Sequence, residues 1–193
     1  MSHLLDTLVA GMGRASLVLA WLAGALILAC VALVTVEVVL RRTGGGLGLA
    51  HELSGYALAI AASWSFAHAL FCRAHIRVDA VYLLLGPKTR GLLDALALGA
   101  LLSLAIAAII GGWDVFWGSW SRGSSANTPW QTPLWIPQLL WLVGLIWFAL
   151  AAAALLVKAL VALAAGHTDQ VQALAGSPTL DRPWQGPPQE PGR

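Results

Sequence analysis

The stretch Arg73-Ala74-His75-Ile76-Arg77-Val78-Asp79 places four ionisable side chains within seven residues, between two stretches that are each apolar and long enough to cross a bilayer. Charge is scarce in the rest of the chain, because Asp, Glu, Lys and Arg make up only 10% of its 193 residues while hydrophobic residues make up 59%. The mean hydropathy is +0.77. This composition predicts an integral membrane protein.

Outward from this stretch, four apolar segments reach the roughly 20 residues that a helix needs to cross the ~30 Å hydrocarbon layer of a membrane. They cover residues 16–40, 52–72, 91–117 and 134–157. We therefore predict an all-α membrane domain of four transmembrane helices over residues 1–165. Residues 166–193 are polar and rich in Pro and Gly, and we expect a disordered cytoplasmic tail there.

Two of these segments have unusual lengths. The first is longer than the apolar core of a secretory signal and no small-residue cleavage site follows it, so we expect it to be retained. The third stays compatible with a helix from Pro87 to about Trp120, which exceeds the thickness of the hydrocarbon layer. We expect the third helix to be tilted or bent, with Gly111-Gly112 as the natural bend.

The distribution of Lys and Arg predicts the orientation. With a cytoplasmic N-terminus, eight of these residues lie on the cytoplasmic side and three on the other side. The eight are Arg14, Arg73, Arg77, Lys88, Arg90, Lys158, Arg182 and Arg193, and the three are Arg41, Arg42 and Arg122. This excess places both termini in the cytoplasm.

Few ionisable side chains fall within the predicted spans. His68 lies about one turn from the cytoplasmic end of the second segment, where either a structural hydrogen bond or a functional role would explain it. Glu37 and Arg41 have the four-residue spacing of a helical ion pair, although Glu37 would also suit a polar path. Glu52 lies at the start of the second segment, where a carboxylate caps a helix favourably. Cys30 and Cys72 should lie at different depths, as packing residues.

The connection before the fourth segment is rigid and rich in Trp. Three prolines fall within residues 129–137, and Trp113, Trp117 and Trp120 form a stripe on the preceding helix that is typical of a membrane interface. We interpret this connection as a docking rim, although anchoring at the interface would also explain it. The candidate rim residues are Arg122, Trp130, Thr132, Pro133, Trp135, Pro137 and Gln138.

These features join into a family pattern. The run His75-Ile76-Arg77-Val78-Asp79, with the Leu-Gly-Pro of residues 85–87 after it, resembles the H-[IV]-R-V-D loop of the small membrane subunits (DctQ-like) of tripartite ATP-independent periplasmic (TRAP) transporters. The runs at residues 38–41, 51–53 and 132–138 are similar to further stretches of the same family. The resemblance covers about residues 15–160.

The resemblance implies a four-helix subunit of the bacterial inner membrane with both termini in the cytoplasm. It implies a heterodimer with a large permease subunit that carries the sodium and solute sites, and transient contact with a periplasmic solute-binding protein. The small subunit would be a scaffold and part of the docking surface for ion-driven, sodium-linked uptake of an organic acid or related solute. It would be no enzyme, would bind no nucleic acid, and would hold no catalytic, cofactor or metal site.

Two hypotheses remain for the signature loop, whose candidate residues are Arg73, His75, Arg77 and Asp79. Its cations, together with Lys88 and Arg90, would attract anionic membrane lipids by about 1 kcal/mol each near the surface. Alternatively, the loop contacts the large subunit directly.

Two other classes of protein fit the sequence less well. A four-helix membrane redox protein, haem-containing or quinone-linked, would need axial ligands on two helices, yet only His68 lies well inside a span. A self-sufficient transporter would need polar groups near the midplane. Beyond Thr35, Ser63, Ser65 and Ser103 the midplane offers little.

Overall fold

The computed structural model describes residues 2–45, 48, 50–73, 85–128 and 130–166, and it contains four α-helices over these ranges. They are α1 (Ser2–Arg42), α2 (Ala50–Phe71), α3 (Pro87–Arg122) and α4 (Trp135–Ala164). The described ranges contain no strand, only an isolated bridge between Ser125 and Pro133. The prediction of an all-α fold is therefore confirmed for this part of the chain. The predicted tail beyond Gly166 lies outside the described residues.

Three of the helices are long and apolar enough to cross a membrane. They include Leu5–Arg42 of α1, Lys88–Arg122 of α3 and all of α4. With 41 and 36 residues, α1 and α3 reach about 60 Å and about 54 Å at ~1.5 Å per residue. The remaining helix, α2, has 22 residues. It contains Glu52, two histidines and three serines, so no stretch of it is as apolar as those of the other three helices.

Glycine ends the helices at two positions where the backbone turns sharply. Gly44, just beyond α1, has φ +86°, and Gly48 follows with φ +70°, as the Gly-rich run at residues 44–48 predicts. Gly123 caps α3 with φ +60°, and its amide hydrogen bonds to the carbonyls of the last turn. These left-handed residues let the chain reverse directly after each long helix.

The helices pack side by side in the order α1, α2, α4, α3. The two central helices pack against each other and each carries one outer helix, while a smaller contact joins α1 to α4. A buried apolar cluster lies along α4. It comprises Val9, Ala67, Leu70, Leu98, Ala105, Phe148, Ala151, Ala152, Leu155, Ala159 and Ala162. The fold is therefore a row with α4 at its core, rather than a closed ring of four helices.

Two glycines allow close packing between helices, one between α4 and α2 and one between α3 and α4. A Cβ atom on Gly144 of α4 would lie 2.7 Å from Trp64 Cδ1 and 2.8 Å from Ser63 Cβ on α2. A Cβ atom on Gly112 of α3 would lie 2.9 Å from Trp141 Cζ3 on α4. The helix continues without interruption through Gly111-Gly112. Packing against α4 thus accounts for Gly112, which the sequence suggested as a bend.

The outer helices leave large apolar surfaces uncovered by the chain itself. Trp21 and Leu28 of α1 are 74% and 71% exposed, and Leu104 of α3 is 67% exposed. Such surfaces are stable only against lipid or another protein. The row therefore has two outer edges that are open to the membrane or to a partner.

Candidate functional site

The predicted rim lies at the end of the row where the connections α1–α2 and α3–α4 are located, which we call the two-loop end. The helices alternate in direction, so the last turns of α1 and α3 meet the first turns of α2 and α4 there. Trp120 of α3 packs edge-on against Trp135 of α4, with ring centroids 4.9 Å apart and planes at 80°. The opposite end, which we call the terminal end, holds the start of α1 and the end of α4.

Residues 124–128 and 130–134 of the α3–α4 connection form the two arms of a short hairpin, which we call the 124–134 hairpin. Its base is closed by the Leu134 amide, which donates to the Ser124 carbonyl at 3.0 Å. Further along, the Ala126 amide donates to the Thr132 carbonyl at 2.9 Å. At the tip, the Gln131 amide donates to the Thr128 carbonyl at 3.1 Å. The backbone thus gives this connection a defined shape.

A buried carboxylate joins the tip of this hairpin to α2. The Thr128 hydroxyl donates to Glu52 Oε2, and Glu52 is only 7% exposed. Glu52 lies in the first turn of α2, where the helix dipole favours a negative charge. The sequence suggested local capping for this carboxylate. The structure shows in addition a tertiary contact across 76 residues of chain.

A second buried carboxylate closes the α1–α2 connection. Glu37 is 2% exposed, and its Oε1 accepts hydrogen bonds from the Gly48 amide at 2.9 Å and from Arg41 Nη2 at 3.4 Å. The predicted pairing of Glu37 with Arg41 is therefore confirmed. Sequence reasoning missed the Gly48 amide, although the Gly-rich turn made a nearby backbone donor available.

Replacing Glu37 with alanine is expected to lower the free energy of unfolding by about 1–3 kcal/mol, because the hydrogen bond from the Gly48 amide to a buried carboxylate is then lost. Replacing Arg41 with alanine is the matched control and should cost less than about 1 kcal/mol, since its side chain is 72% exposed. Thermal unfolding in detergent, followed by circular dichroism, measures both. Equal losses for the two variants would contradict the role of the Gly48 bond.

The structure divides the predicted rim residues between surface and interior. Arg122, Trp130 and Pro133 are exposed, whereas Thr132 and Trp135 are half-buried. Pro137 is buried, and Gln138 is half-buried like Thr132 and Trp135. Pro137 and Gln138 both line a small apolar pocket of about 140 Å³ with Tyr56, Ala59, Leu134 and Trp141. Their contribution to a rim would be indirect.

Aromatic rings continue from the two-loop end down the outer side of α3. Trp113 and Trp117 stack with ring centroids 6.4 Å apart and planes at 12°, and both are about half exposed. Phe116 joins this band to Trp120 at 6.2 Å. The stripe predicted from the sequence is thus a continuous aromatic surface.

The remaining polar candidates lie nearer the terminal end. His68 Nε2 lies 3.5 Å from Cys72 Sγ, one turn further along the chain. Arg73 is half-buried and has φ +53°. The signature residues His75, Arg77 and Asp79 lie outside the described residues. Within the described ranges, no three His, Cys, Asp or Glu side chains come together as metal ligands.

Three polar contacts or buried groups were not anticipated. Asp94 of α3 is 1% exposed, and its position within an apolar span was a signal that could have identified it. Trp147 Nε1 donates to Ser16 Oγ at 2.9 Å and so joins α4 to α1. At the terminal end, Lys158 Nζ lies 2.6 Å from Asp6 Oδ1. The last two contacts both join α4 to α1, which are distant in sequence.

Comparison with known families shows what the chain is similar to. The family model described as the DctQ component of tripartite ATP-independent periplasmic transporters matches residues 30–162. This range contains Glu37, Glu52, the 124–134 hairpin and all the candidate rim residues. No curated protein and no solved structure matches the chain.

Proposed function

Because the chain belongs to the DctQ component family of tripartite ATP-independent periplasmic transporters, we propose that it is a small permease subunit that scaffolds a large permease subunit. In this proposal it also helps to dock a periplasmic solute-binding protein. The transporter takes up an organic acid or a related solute, driven by an ion gradient, with sodium as the coupling ion. The chain itself performs no catalysis.

The proposal places the terminal end in the cytoplasm and the two-loop end in the periplasm of a bacterial inner membrane. Lys and Arg favour this orientation by eight to three, counted as above. Although α2 contains no stretch as apolar as those of the other helices, its 22 residues reach about 33 Å and are long enough to be the fourth span. The aromatic band of α3 then lies near the periplasmic interface, where Trp is favoured.

The observation that carries the scaffold role is the open edge at α1. Its apolar side chains are largely uncovered by the rest of the chain, as Trp21 and Leu28 illustrate. Small residues on α1 and α2, including Ala20, Ala23 and Gly24, line a groove of about 520 Å³ on the same helix pair. Small residues let a neighbouring membrane helix approach closely. A rigid row with an open edge suits a subunit that extends a larger permease.

Reconstitution tests this function. We expect an affinity-tagged chain to copurify with the large permease subunit of the same transporter from detergent extracts. The solute is identified first, by mass spectrometry of the ligand released from the denatured periplasmic binding protein. Proteoliposomes with both membrane subunits and the loaded binding protein should accumulate this radiolabelled solute, and uptake should cease when choline replaces external sodium.

The matched control is the same assay with the small subunit alone, which should show no uptake. Uptake by the small subunit without its partner would contradict the scaffold role. Failure to copurify with the large subunit would contradict the complex itself. Uptake that continues unchanged in choline would overturn the sodium coupling alone.

A further inference from the structure

We infer that Glu52 is a positioning residue for docking: its carboxylate holds the tip of the 124–134 hairpin, so that Trp130 is presented to the solute-binding protein in one fixed orientation. This inference rests on the proposed function, because it names the part of the chain that meets the periplasmic partner. Glu52 itself is buried and touches no partner in this account.

Backbone hydrogen bonds order the arms and the tip of the hairpin, and the carboxylate adds a contact from the tip to another helix. The bonds from Leu134 to Ser124 and from Ala126 to Thr132 connect the two arms with each other. The Ser124 amide also donates to the Ser119 carbonyl at 2.9 Å, which joins the base of the hairpin to the last turn of α3. The bond from Thr128 to Glu52 joins the tip to α2, a helix of the central pair.

The acceptor is well suited to holding a loop. A hydrogen bond to a carboxylate is stronger than one between neutral groups, and it is stronger again where water is largely excluded. Glu52 is 7% exposed, so water competes weakly for its oxygens. A loop that is already ordered before its partner arrives loses less conformational entropy on binding. The expected benefit is therefore a tighter complex with the binding protein.

The exposed side chains around the tip indicate the chemistry of the partner surface. Trp130 is 59% exposed, and the cationic Arg122 is exposed at the end of α3. Trp and Arg are the side chains that most often dominate binding energy at protein interfaces. They fit a surface of the binding protein that offers an apolar depression with carboxylates beside it.

The first experiment measures, in the purified chain, whether the bond from Thr128 to Glu52 restricts the motion of the hairpin tip. A nitroxide label is placed at the exposed Gln131 by Gln131→Cys, with Cys30 and Cys72 replaced by serine. Electron paramagnetic resonance should report a restricted label, and Thr128→Val should release it, because valine keeps the shape of threonine without the hydroxyl. Thr128→Ser should keep the label restricted.

The matched control is Thr43→Val, which removes a hydroxyl at the same end of the row. The Thr43 hydroxyl donates to the Leu40 carbonyl at the end of its own helix, so its loss should leave the label unchanged. An unchanged spectrum for Thr128→Val, or an equal change for Thr43→Val, would overturn the inference.

The second experiment measures docking with the complex of both membrane subunits in lipid nanodiscs, titrated with the periplasmic binding protein of the same transporter. Thr128→Val should raise the half-saturating concentration about tenfold, as expected for the loss of a hydrogen bond to a charged group. Thr128→Ser should restore it. Trp130→Ala should raise it as well, and the double variant should show less than the product of the two changes, because both act on one contact.

The outcomes separate this inference from the proposed function. If the unmodified complex forms and binds the partner but Thr128→Val binds equally well, the role of Glu52 is wrong and the scaffold function stands. If the increases in half-saturating concentration for Thr128→Val and Trp130→Ala simply multiply in the double variant, the bond from Thr128 to Glu52 does not act through Trp130. If the unmodified chain forms no complex with the large subunit, the proposed function fails first.

Discussion

Replacing Gly144 with valine is expected to separate α2 from α4 and to give the largest loss of stability of any single substitution considered for this chain. The added Cβ would lie 2.7 Å from Trp64 Cδ1 and 2.8 Å from Ser63 Cβ, closer than carbon atoms approach in folded proteins. Neither neighbour moves easily. The Ser63 atom is attached directly to the backbone of α2, and Trp64 Nε1 donates to the Leu140 carbonyl at 2.9 Å.

Because the clash cannot be relieved by rotating a side chain, the two helices must move apart. Overpacking of this kind costs typically 1–3 kcal/mol and occasionally more, and we expect about 3 kcal/mol or more here. For a chain of this size, that corresponds to a fall of about 10 °C in the melting temperature. Thermal unfolding in detergent and the retention of a single peak in size-exclusion chromatography measure the effect.

Gly99→Val on α3 is the control for Gly144→Val, since a Cβ at Gly99 meets nothing within 4 Å. It should melt close to the unmodified chain. The melting temperature of Gly144→Ala should lie between those of Gly144→Val and Gly99→Val, because alanine adds the clashing Cβ without the two further methyl groups. A Gly144→Val protein that melts like the Gly99 variant would show that α2 and α4 do not pack as described.

The second large effect is expected for Gly112→Val, which disturbs the contact between α3 and α4. A Cβ there would lie 2.9 Å from Trp141 Cζ3 and 3.0 Å from Leu142 Cδ1. The leucine methyl can rotate away, but the indole ring is rigid. We therefore expect a loss of about 1–3 kcal/mol, smaller than for Gly144.

The neighbouring glycine provides the control for this second prediction. Gly111 is exposed, and a Cβ there meets nothing within 4 Å. Gly111→Val should therefore have little effect, although both variants add the same β-branched side chain to the same helix. If the two variants melt at the same temperature, flexibility of the Gly-Gly pair, rather than packing of Gly112, determines the stability of α3.

Features that depend on local sequence could be predicted. The four helices follow from the length and composition of the apolar segments, and the Glu37–Arg41 pair follows from a spacing of four residues on one helix. The full length of α1 could not be predicted. Hydropathy marks where a chain can cross the membrane, but a helix can continue into water, and α1 begins at Ser2 rather than near residue 16.

Features that depend on helix rotation could not be predicted. A nearly uniform apolar helix carries little information on which side faces its neighbours. The contacts of Gly144 and the bond between Thr128 and Glu52 therefore appear only in three dimensions. The burial of Pro137 could not be predicted for the same reason. Because α4 begins at Trp135, successive residues point about 100° apart, and adjacent residues of one motif face different surroundings.

The arrangement of the helices in a row has a consequence for how the protein comes apart. In a row, each helix contacts mainly its nearest neighbours, as in repeat proteins, whose stability is approximately a sum over neighbouring interfaces. The end units α1 and α3 can then detach one at a time while the central pair remains together. Unfolding should proceed in steps from the ends, with a loss of cooperativity that a closed ring of helices would not show.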